Sequence, residues 1–202
     1  MNKQGKDFIL GLMLIIFLIL GFMVNGSSEG ILFDVDIMKY IHNNTNPRIL
    51  SFMKFISFIG SVNFLLPVTA MGISYTLIKK KYYISKLLLL STLGSYLLNY
   101  LLKQFFQRTR PLEFFLVNQG GLSFPSGHSM VTMTLYSTIA FLLAKKVDND
   151  RKKKLIHIIS FVMICLMGIS RIYLGVHWPT DVIGGYLIGY IFYCISIKLI
   201  KE

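Results

Sequence analysis

Cysteine and acidic residues are both scarce in this chain. Its two cysteines, Cys165 and Cys194, each lie inside an apolar block, and no CxxC pattern or Cys/His cluster accompanies them. Neither a disulfide framework nor a zinc site is therefore indicated. Only nine Asp and Glu residues stand against 21 Lys and Arg, and they form no carboxylate cluster of the kind that holds a divalent metal.

The sequence also lacks a basic stripe with interleaved aromatic residues. The formal net charge of +12 could suit a nucleic acid, an anionic membrane surface or an anionic substrate. Because the Lys and Arg residues sit in short runs between apolar blocks, nucleic acid is a poor choice. A membrane surface and an anionic substrate remain.

No clear small-x-small cleavage site follows the first apolar block, residues 8–24. Lys3 and Lys6 precede this block, as in a signal peptide, but the residues after it are Asn-Gly-Ser-Ser-Glu. We therefore expect a retained transmembrane anchor.

Long apolar blocks are what the chain does have. Hydrophobic residues make up 54% of it and the mean hydropathy is +0.61. Each block approaches the ~20 residues that a helix needs to cross ~30 Å of hydrocarbon. The sequence predicts an all-α protein, a single integral-membrane domain over residues 1–202. Six spans are expected, at 8–24, 60–78, 85–102, 128–144, 155–172 and 182–200.

The basic residues predict the orientation of these spans. Fourteen of the 21 Lys and Arg residues fall at the two termini and in the connections near residues 79–86 and 145–154. Cytoplasmic segments carry such an excess. We therefore expect both termini in the cytoplasm, which agrees with an even number of spans.

The first outer connection, residues 25–59, is long and ends in an amphipathic stretch. Apolar pairs recur through 49–59. This pattern predicts a helix that either lies in the membrane interface or packs as an extra helix, and both interpretations stay open.

Three outer clusters carry residues suited to chemistry. Lys103, Arg110 and Arg171 are cations on the side where topology does not call for them, and such charges are usually functional. Converging cations would suit a phosphate, because guanidinium groups offer forked donors. If the third span continued past Lys103, Arg110 would lie about two turns further along the same face.

The second cluster, Ser126-Gly127-His128, stands where a helix begins. Ser126 can cap that helix, and Gly127 lets an anion approach the backbone closely. Free N–H groups and the helix dipole then favour a phosphate. His128 is well placed there for proton transfer.

The third cluster pairs His177 with Asp181, four residues apart. Pro179 fits the first turn of the last helix, and the spacing lets Asp181 reach the imidazole. A carboxylate on one ring nitrogen leaves the other nucleophilic. A single histidine or basic residue near a helix end is usually a packing or snorkelling residue. All three clusters, however, fall on the same predicted side of the membrane.

The pattern Lys-x6-Arg-Pro, then Pro-Ser-Gly-His, then Ser-Arg-x5-His-x3-Asp resembles the signature of the type 2 phosphatidic acid phosphatase superfamily. It spans residues 103–181 with the spacing of that family. The resemblance implies a membrane phosphatase with an outward-facing site, with a phosphorylated lipid as its partner in the bilayer, and with no metal or other cofactor.

The same resemblance implies a role for each matching position. His177 is similar to the nucleophile that forms a phosphohistidine, Asp181 to its orienting partner, and His128 to the general acid. The implied phosphate cradle comprises Lys103, Arg110, Ser126, Gly127 and Arg171, whereas Pro111, Pro125 and Ser170 shape the backbone. Arg108 lies outside the motif, and we expect it to be a charge at the rim.

Two lipid substrates compete within this interpretation. Phosphatidylglycerol phosphate is favoured, with undecaprenyl diphosphate as the alternative. Two other classes of function are weaker. Vanadium haloperoxidases share the phosphate-binding residues but are soluble proteins. A transporter or lipid-binding protein without catalysis would not need the acid–nucleophile pair of His128 and His177.

Overall fold

The structure is a computed structural model that describes residues 3–200. Every regular element within those residues is helical. The helices are α1 (Lys3–Met23), α2 (Asp34–Asn43), α3 (Pro47–Ile59), α4 (Val62–Ile78), α5 (Tyr82–Leu89), α6 (Ser95–Phe106), α7 (Gly127–Ala144), α8 (Asp150–Tyr173) and α9 (Pro179–Leu199). A π-helical turn, Leu90–Gly94, joins α5 to α6. The expected all-α class is confirmed.

Five helical stretches are long and apolar enough to cross a membrane. They are Gln4–Met23, Pro47–Ile78, Gly127–Ala144, Asp150–Tyr173 and Pro179–Leu199. Five of the six predicted spans lie within these stretches, apart from a single residue at the end of 8–24 and of 182–200. The remaining prediction, 85–102, lies in a continuous helical run over 82–106 that the π turn divides into two short α-helices. The chain is a multi-pass membrane protein.

The outer surface of α1 carries large apolar side chains. Phe8 is 74% exposed and Ile15 is 56% exposed. Leaving such side chains in water would forfeit roughly 1.5–3 kcal/mol each. This surface therefore suits contact with lipid tails.

Hydroxyl groups hold the interior of the bundle together. Ser95 of α6 donates to Thr134 of α7 over 2.9 Å, and Thr134 in turn donates to the Gly189 carbonyl of α9 at 3.1 Å. Hydrogen bonds of this kind link helices in the membrane, where apolar burial alone gives little preference for protein over lipid. These bonds link α6, α7 and α9, and α7 packs against both α8 and α9 at the centre of the fold.

An aromatic cluster lies between α1 and the end of α6. Phe124 stacks on Phe17 at 5.5 Å and meets Phe106 edge-on at 5.2 Å between ring centroids. All three rings are buried. This packing anchors the loop that follows α6 just before Pro125, so it fixes the start of α7.

Candidate active site

The predicted site residues gather at one end of the bundle, which we call the site end. It comprises the carboxyl ends of α6 and α8, the amino ends of α7 and α9, and the loop 107–126. Lys103 and Arg171 occupy the last turns of α6 and α8, while Gly127 and Asp181 lie in the first turns of α7 and α9. The backbone N–H of Ser126 donates to the Asp181 carbonyl at 3.0 Å, which ties two of these ends together.

His177 and Asp181 face one another across the start of α9. Nδ1 of His177 lies 3.3 Å from Oδ2 of Asp181, and Pro179 begins the helix as predicted. The backbone N–H of Trp178 donates to the same carboxylate oxygen at 2.9 Å. A carboxylate accepts but does not donate, so Nδ1 of the imidazole carries the proton. Nε2 is left with a free lone pair.

Ser123 is a member of this site that the sequence did not reveal. Its hydroxyl donates to Oδ2 of Asp181 and lies 3.3 Å from Nδ1 of His177. The residue is fully buried. No spacing pattern marks a lone serine in an irregular loop, and only the fold brings it to the pair.

Arg110 contacts the other side of the imidazole. Its Nη1 lies 3.1 Å from Nε2 of His177 and donates to the Val176 carbonyl at 2.6 Å. Its Nε donates to the carbonyls of Gly120 and Gly121 at 3.0 and 2.9 Å. The guanidinium is thus held beside the nitrogen that has the free lone pair.

The expectation that Lys103 and Arg110 share one helical face is wrong. Helix α6 ends at Phe106, and Gln107 adopts a left-handed conformation with φ of 48°. A residue in this conformation terminates a helix, because the right-handed repeat cannot continue through it. Arg110 therefore reaches the site from the loop.

The other two cations are fixed by side chains and carbonyls around the site. Lys103 donates from Nζ to the Ser123 carbonyl at 2.9 Å. Arg171, which is almost fully buried, donates to the Ser57 hydroxyl of α3 and to Oε1 of Gln119 at 3.1 Å. No motif or spacing pattern marks Ser57 or Gln119, so neither partner was predicted.

Ser126 caps α7 as predicted, since its hydroxyl accepts from the backbone N–H of Ser129 at 3.4 Å. The Ser129 hydroxyl also donates to it, over 3.0 Å. Its contribution to a phosphate cradle stays a prediction. Gly127 and His128 follow in the first turn of α7 and are only partly buried, so they lie towards the open side of the site.

Burial and the surrounding cations act together on the nucleophile candidate. Removal from water lowers the pKa of His177 well below its usual value, and the positive charges nearby lower it further. The largest of those contributions comes from Arg110, followed by Lys103 and Arg171. Burial also lowers the pKa of Arg110 to about 10, against the opposing influence of Asp181. The imidazole is therefore held neutral, and Arg110 stays charged at neutral pH.

Arg108 is not a charge at the rim, so that expectation is wrong. Its side chain is completely buried, and it forms ion pairs with Asp181 at 2.7 Å and with Asp34 at 2.8 Å. The expectation rested on its position outside the motif, where a basic residue near a helix end usually reaches into water. Two buried carboxylates, both from distant parts of the chain, pair with it in the interior instead.

The site combines an oriented imidazole, a second histidine and three cations in a helical membrane bundle. Such a set can bind a phosphate group, attack its phosphorus atom and protonate the oxygen that leaves. These features define a membrane phosphatase, a hydrolase of phosphate esters.

Comparison with known proteins agrees with this class. Residues 85–202 match the PAP2 superfamily, and the chain belongs to it. The chain is 40% identical to phosphatidylglycerophosphatase B of Bacillus subtilis over 146 residues, which is 71% of each chain. It is 29% identical to an undecaprenyl-diphosphatase of Sulfolobus acidocaldarius over 198 residues, which is 93% of this chain and 89% of the relative.

A solved structure shares the fold. The crystal structure of a transmembrane PAP2-type phosphatidylglycerolphosphate phosphatase from Bacillus subtilis superposes with a TM-score of 0.82 at 33% identity. The match covers 93% of both chains. The similarity therefore extends beyond the motif region to the amino-terminal helices.

Proposed function

We propose that this chain removes a phosphate group from a phosphorylated lipid, with His177 as the nucleophile, Asp181 as its orienting partner and His128 as the general acid. The observation that carries this proposal is the environment of one imidazole. Nδ1 of His177 faces Asp181 at 3.3 Å, and Nε2 faces Arg110 at 3.1 Å. A nucleophilic nitrogen is thus aimed at a group that binds phosphate.

The reaction would proceed in two balanced steps. Nε2 of His177 attacks phosphorus and forms a P–N bond, while the P–O bond to the lipid breaks and the leaving oxygen takes a proton from His128. Water then attacks phosphorus, the P–N bond breaks, and His128 takes the proton from the water. Inorganic phosphate and the dephosphorylated lipid are released.

The phosphate oxygens would be held by Lys103, Arg110 and Arg171 together with the first turn of α7, where Ser126 and Gly127 lie. Cations and helix-end N–H groups aimed at one point stabilise developing negative charge without reorganising during the reaction. This arrangement would let the enzyme work without a metal ion. The first test is therefore that EDTA leaves phosphate release intact; complete inhibition would reject the metal-free mechanism.

We assign the site to the outer face of the membrane. In this topology six spans cross the bilayer, the helical run 82–106 being the third, and α3 lies in the interface. The excess of basic residues near 79–86 and 145–154 supports a cytoplasmic position for the opposite end.

Single cysteines introduced as Glu113→Cys and Asp148→Cys test this orientation. An impermeant maleimide should label only the first in intact cells, and the reverse pattern would refute the assignment.

Phosphatidylglycerol phosphate is the proposed substrate. The 40% identity to a relative named for that activity supports it. Undecaprenyl diphosphate is the second candidate, supported by the relative whose similarity extends over 93% of the chain. Cations that recognise only the phosphate would serve either lipid.

The decisive experiment measures phosphate release by the purified protein from phosphatidylglycerol phosphate, phosphatidic acid and undecaprenyl diphosphate. His177→Ala should lose activity on every lipid by about 10⁴-fold or more, as for other essential nucleophiles. His128→Ala should lose about 10²–10⁴-fold. His157→Ala is the matched control, because His157 is exposed on α8. Full activity of His177→Ala would refute the proposal.

A further inference from the structure

A buried chain of charges extends from the nucleophile candidate to a distant part of the sequence. Arg108 donates from Nη1 to Oδ1 of Asp181 at 2.7 Å and from Nη2 to Oδ2 of Asp34 at 2.8 Å. The two carboxylates lie 147 positions apart in the sequence, so only the fold makes them partners of one guanidinium. Asp181 bonds to His177 through its other oxygen.

Asp34 is fixed at the far end of this chain. It is the first residue of α2, a helix that the sequence analysis did not foresee, and it is completely buried. Its oxygens accept from the backbone N–H of Thr180 at 2.9 Å, the Thr180 hydroxyl at 2.7 Å and the backbone N–H of Ile31 at 3.1 Å. The Thr180 hydroxyl also accepts from Arg108 at 2.8 Å.

Asp181 and Asp34 therefore share the positive charge of one guanidinium. If Arg108 faced Asp181 alone, a full ion pair would draw electron density away from the oxygen that holds Nδ1–H. Asp34 takes part of that charge, and Trp178, whose ring lies 5.4 Å from the guanidinium carbon, covers the group. On the Nδ1 side of the imidazole, across the ring from Arg110, the two carboxylates and this guanidinium together carry one net negative charge.

That net charge has a use in the proposed reaction. Attack through Nε2, while Nδ1 keeps its proton, turns the imidazole into a cation. A buried cation needs a compensating negative charge nearby. Asp181 can supply it only if its carboxylate stays ionised, correctly turned and not fully neutralised.

We propose that Arg108 and Asp34 are positioning residues that hold the Asp181 carboxylate in place and set how strongly it accepts the Nδ1–H of His177. They act through Asp181 and do not contact the phosphate. This inference rests on the proposed function, since it assigns these residues to the same phosphoryl transfer.

The test compares Arg108→Gln, Asp34→Asn and the double variant with the wild type on the same lipid phosphate. Each single variant should lose about tenfold or more in kcat while KM changes less than about threefold, because the phosphate contacts are intact. Lowered kcat at constant KM separates positioning from substrate binding.

A second readout follows the ring nitrogens of His177 by ¹⁵N NMR as the pH is varied. Loss of the Arg108 charge should make Asp181 a stronger acceptor and raise the pH at which His177 gains a proton. Loss of the Asp34 charge should lower the pH at which His177 gains a proton. In the double variant this pH should return towards the wild-type value. Every charged or titratable group that faces His177 stays in place in all three variants, namely Lys103, Arg110, His128, Arg171 and Asp181.

Matched controls are Asp36→Asn on α2 and Arg48→Gln on α3, two exposed residues of the same types. Wild-type kcat in both single variants, or titration shifts of the same sign, would show that the chain is merely structural and overturn the proposal. If the single variants do not fold, Arg108→Lys decides, since an ammonium keeps the charge but lacks the fork that bridges two carboxylates. A wild-type kcat in Arg108→Lys would refute the positioning proposal. An inactive wild-type protein would instead refute the proposed function.

Discussion

The guanidinium of Arg110 and Nε2 of His177 lie 3.1 Å apart, on the side of the imidazole opposite Asp181. Arg110 donates here to the lone pair that would attack phosphorus. A phosphate bound in front of the ring would therefore receive that donor as the nitrogen begins its attack. In the proposed mechanism the same cation would bind the substrate and also help to keep the imidazole unprotonated.

Arg110→Gln should reduce kcat/KM by about 10²–10³-fold, the usual cost of removing one preorganised donor from a developing anion. Arg110→Lys should retain part of the activity, because it keeps a charge but loses the forked geometry. Initial rates on short-chain lipid phosphates measure this. Arg48→Gln on α3 is the control, and equal losses in both variants would contradict a specific role.

The pH dependence follows from the lowered pKa of His177. A group that the fold keeps neutral binds its proton only at a pH below the ordinary value of about 6.5. The nucleophile should therefore stay unprotonated as the pH falls through 6.5. Protonation of His177 should lower kcat/KM only at a pH below that value. Loss of the Arg110 charge in Arg110→Gln should raise the pKa and move this acid limb upwards.

The same shift affects stability. Below pH 6.5 the unfolded chain binds a proton at His177 that the folded protein does not, so folding loses stability as the pH falls towards the folded-state pKa. Above pH 6.5 the contribution is fully present. Direct ¹⁵N titration of the histidines, assigned with His177→Asn, measures the pKa. A midpoint at or above 6.5 would contradict the assigned environment.

Ser123→Ala tests whether Ser123, a residue outside every motif, helps to orient Asp181. The variant removes one hydrogen bond to Asp181, worth about 0.5–1.5 kcal/mol, so kcat should fall by about 3- to 10-fold. KM should change little, because the hydroxyl faces the carboxylate rather than the substrate. Ser51→Ala on the exposed face of α3 is the control. An unchanged kcat would show that Trp178 and Arg108 suffice to orient Asp181.

Local spacing was enough to predict part of this site. His177 and Asp181 are four residues apart at a helix start, and Ser126 stands one residue before α7, so short-range geometry determined both arrangements. The apolar blocks likewise predicted where five long helices lie, because a membrane span is a local property of composition.

Long-range partners could not be predicted in this way. Arg108 and Arg110 are two residues apart in the same loop, yet one is sequestered between Asp34 and Asp181 and the other faces His177. The motif singled out Arg110, but nothing in the local sequence predicted the environment of Arg108, because its two carboxylate partners are brought in by other helices. Helix α2 was missed for a related reason: it is short, polar in part and stabilised by the buried contacts of Asp34.

Gly175 should be the glycine of the site end that tolerates a side chain least. Its φ is 72°, and an added Cβ would overlap the Phe114 carbonyl. Gly175→Ala should lower the free energy of unfolding by roughly 1–2 kcal/mol because of the left-handed conformation. The overlap with the carbonyl should lower it by about 1–3 kcal/mol more. Gly26→Ala, with φ of 65° and nothing within 4 Å, isolates the first cost, and Gly11→Ala in open helical space should cost nothing. Thermal unfolding in detergent should rank the variants in that order; equal midpoints would show that the turn before His177 relaxes freely.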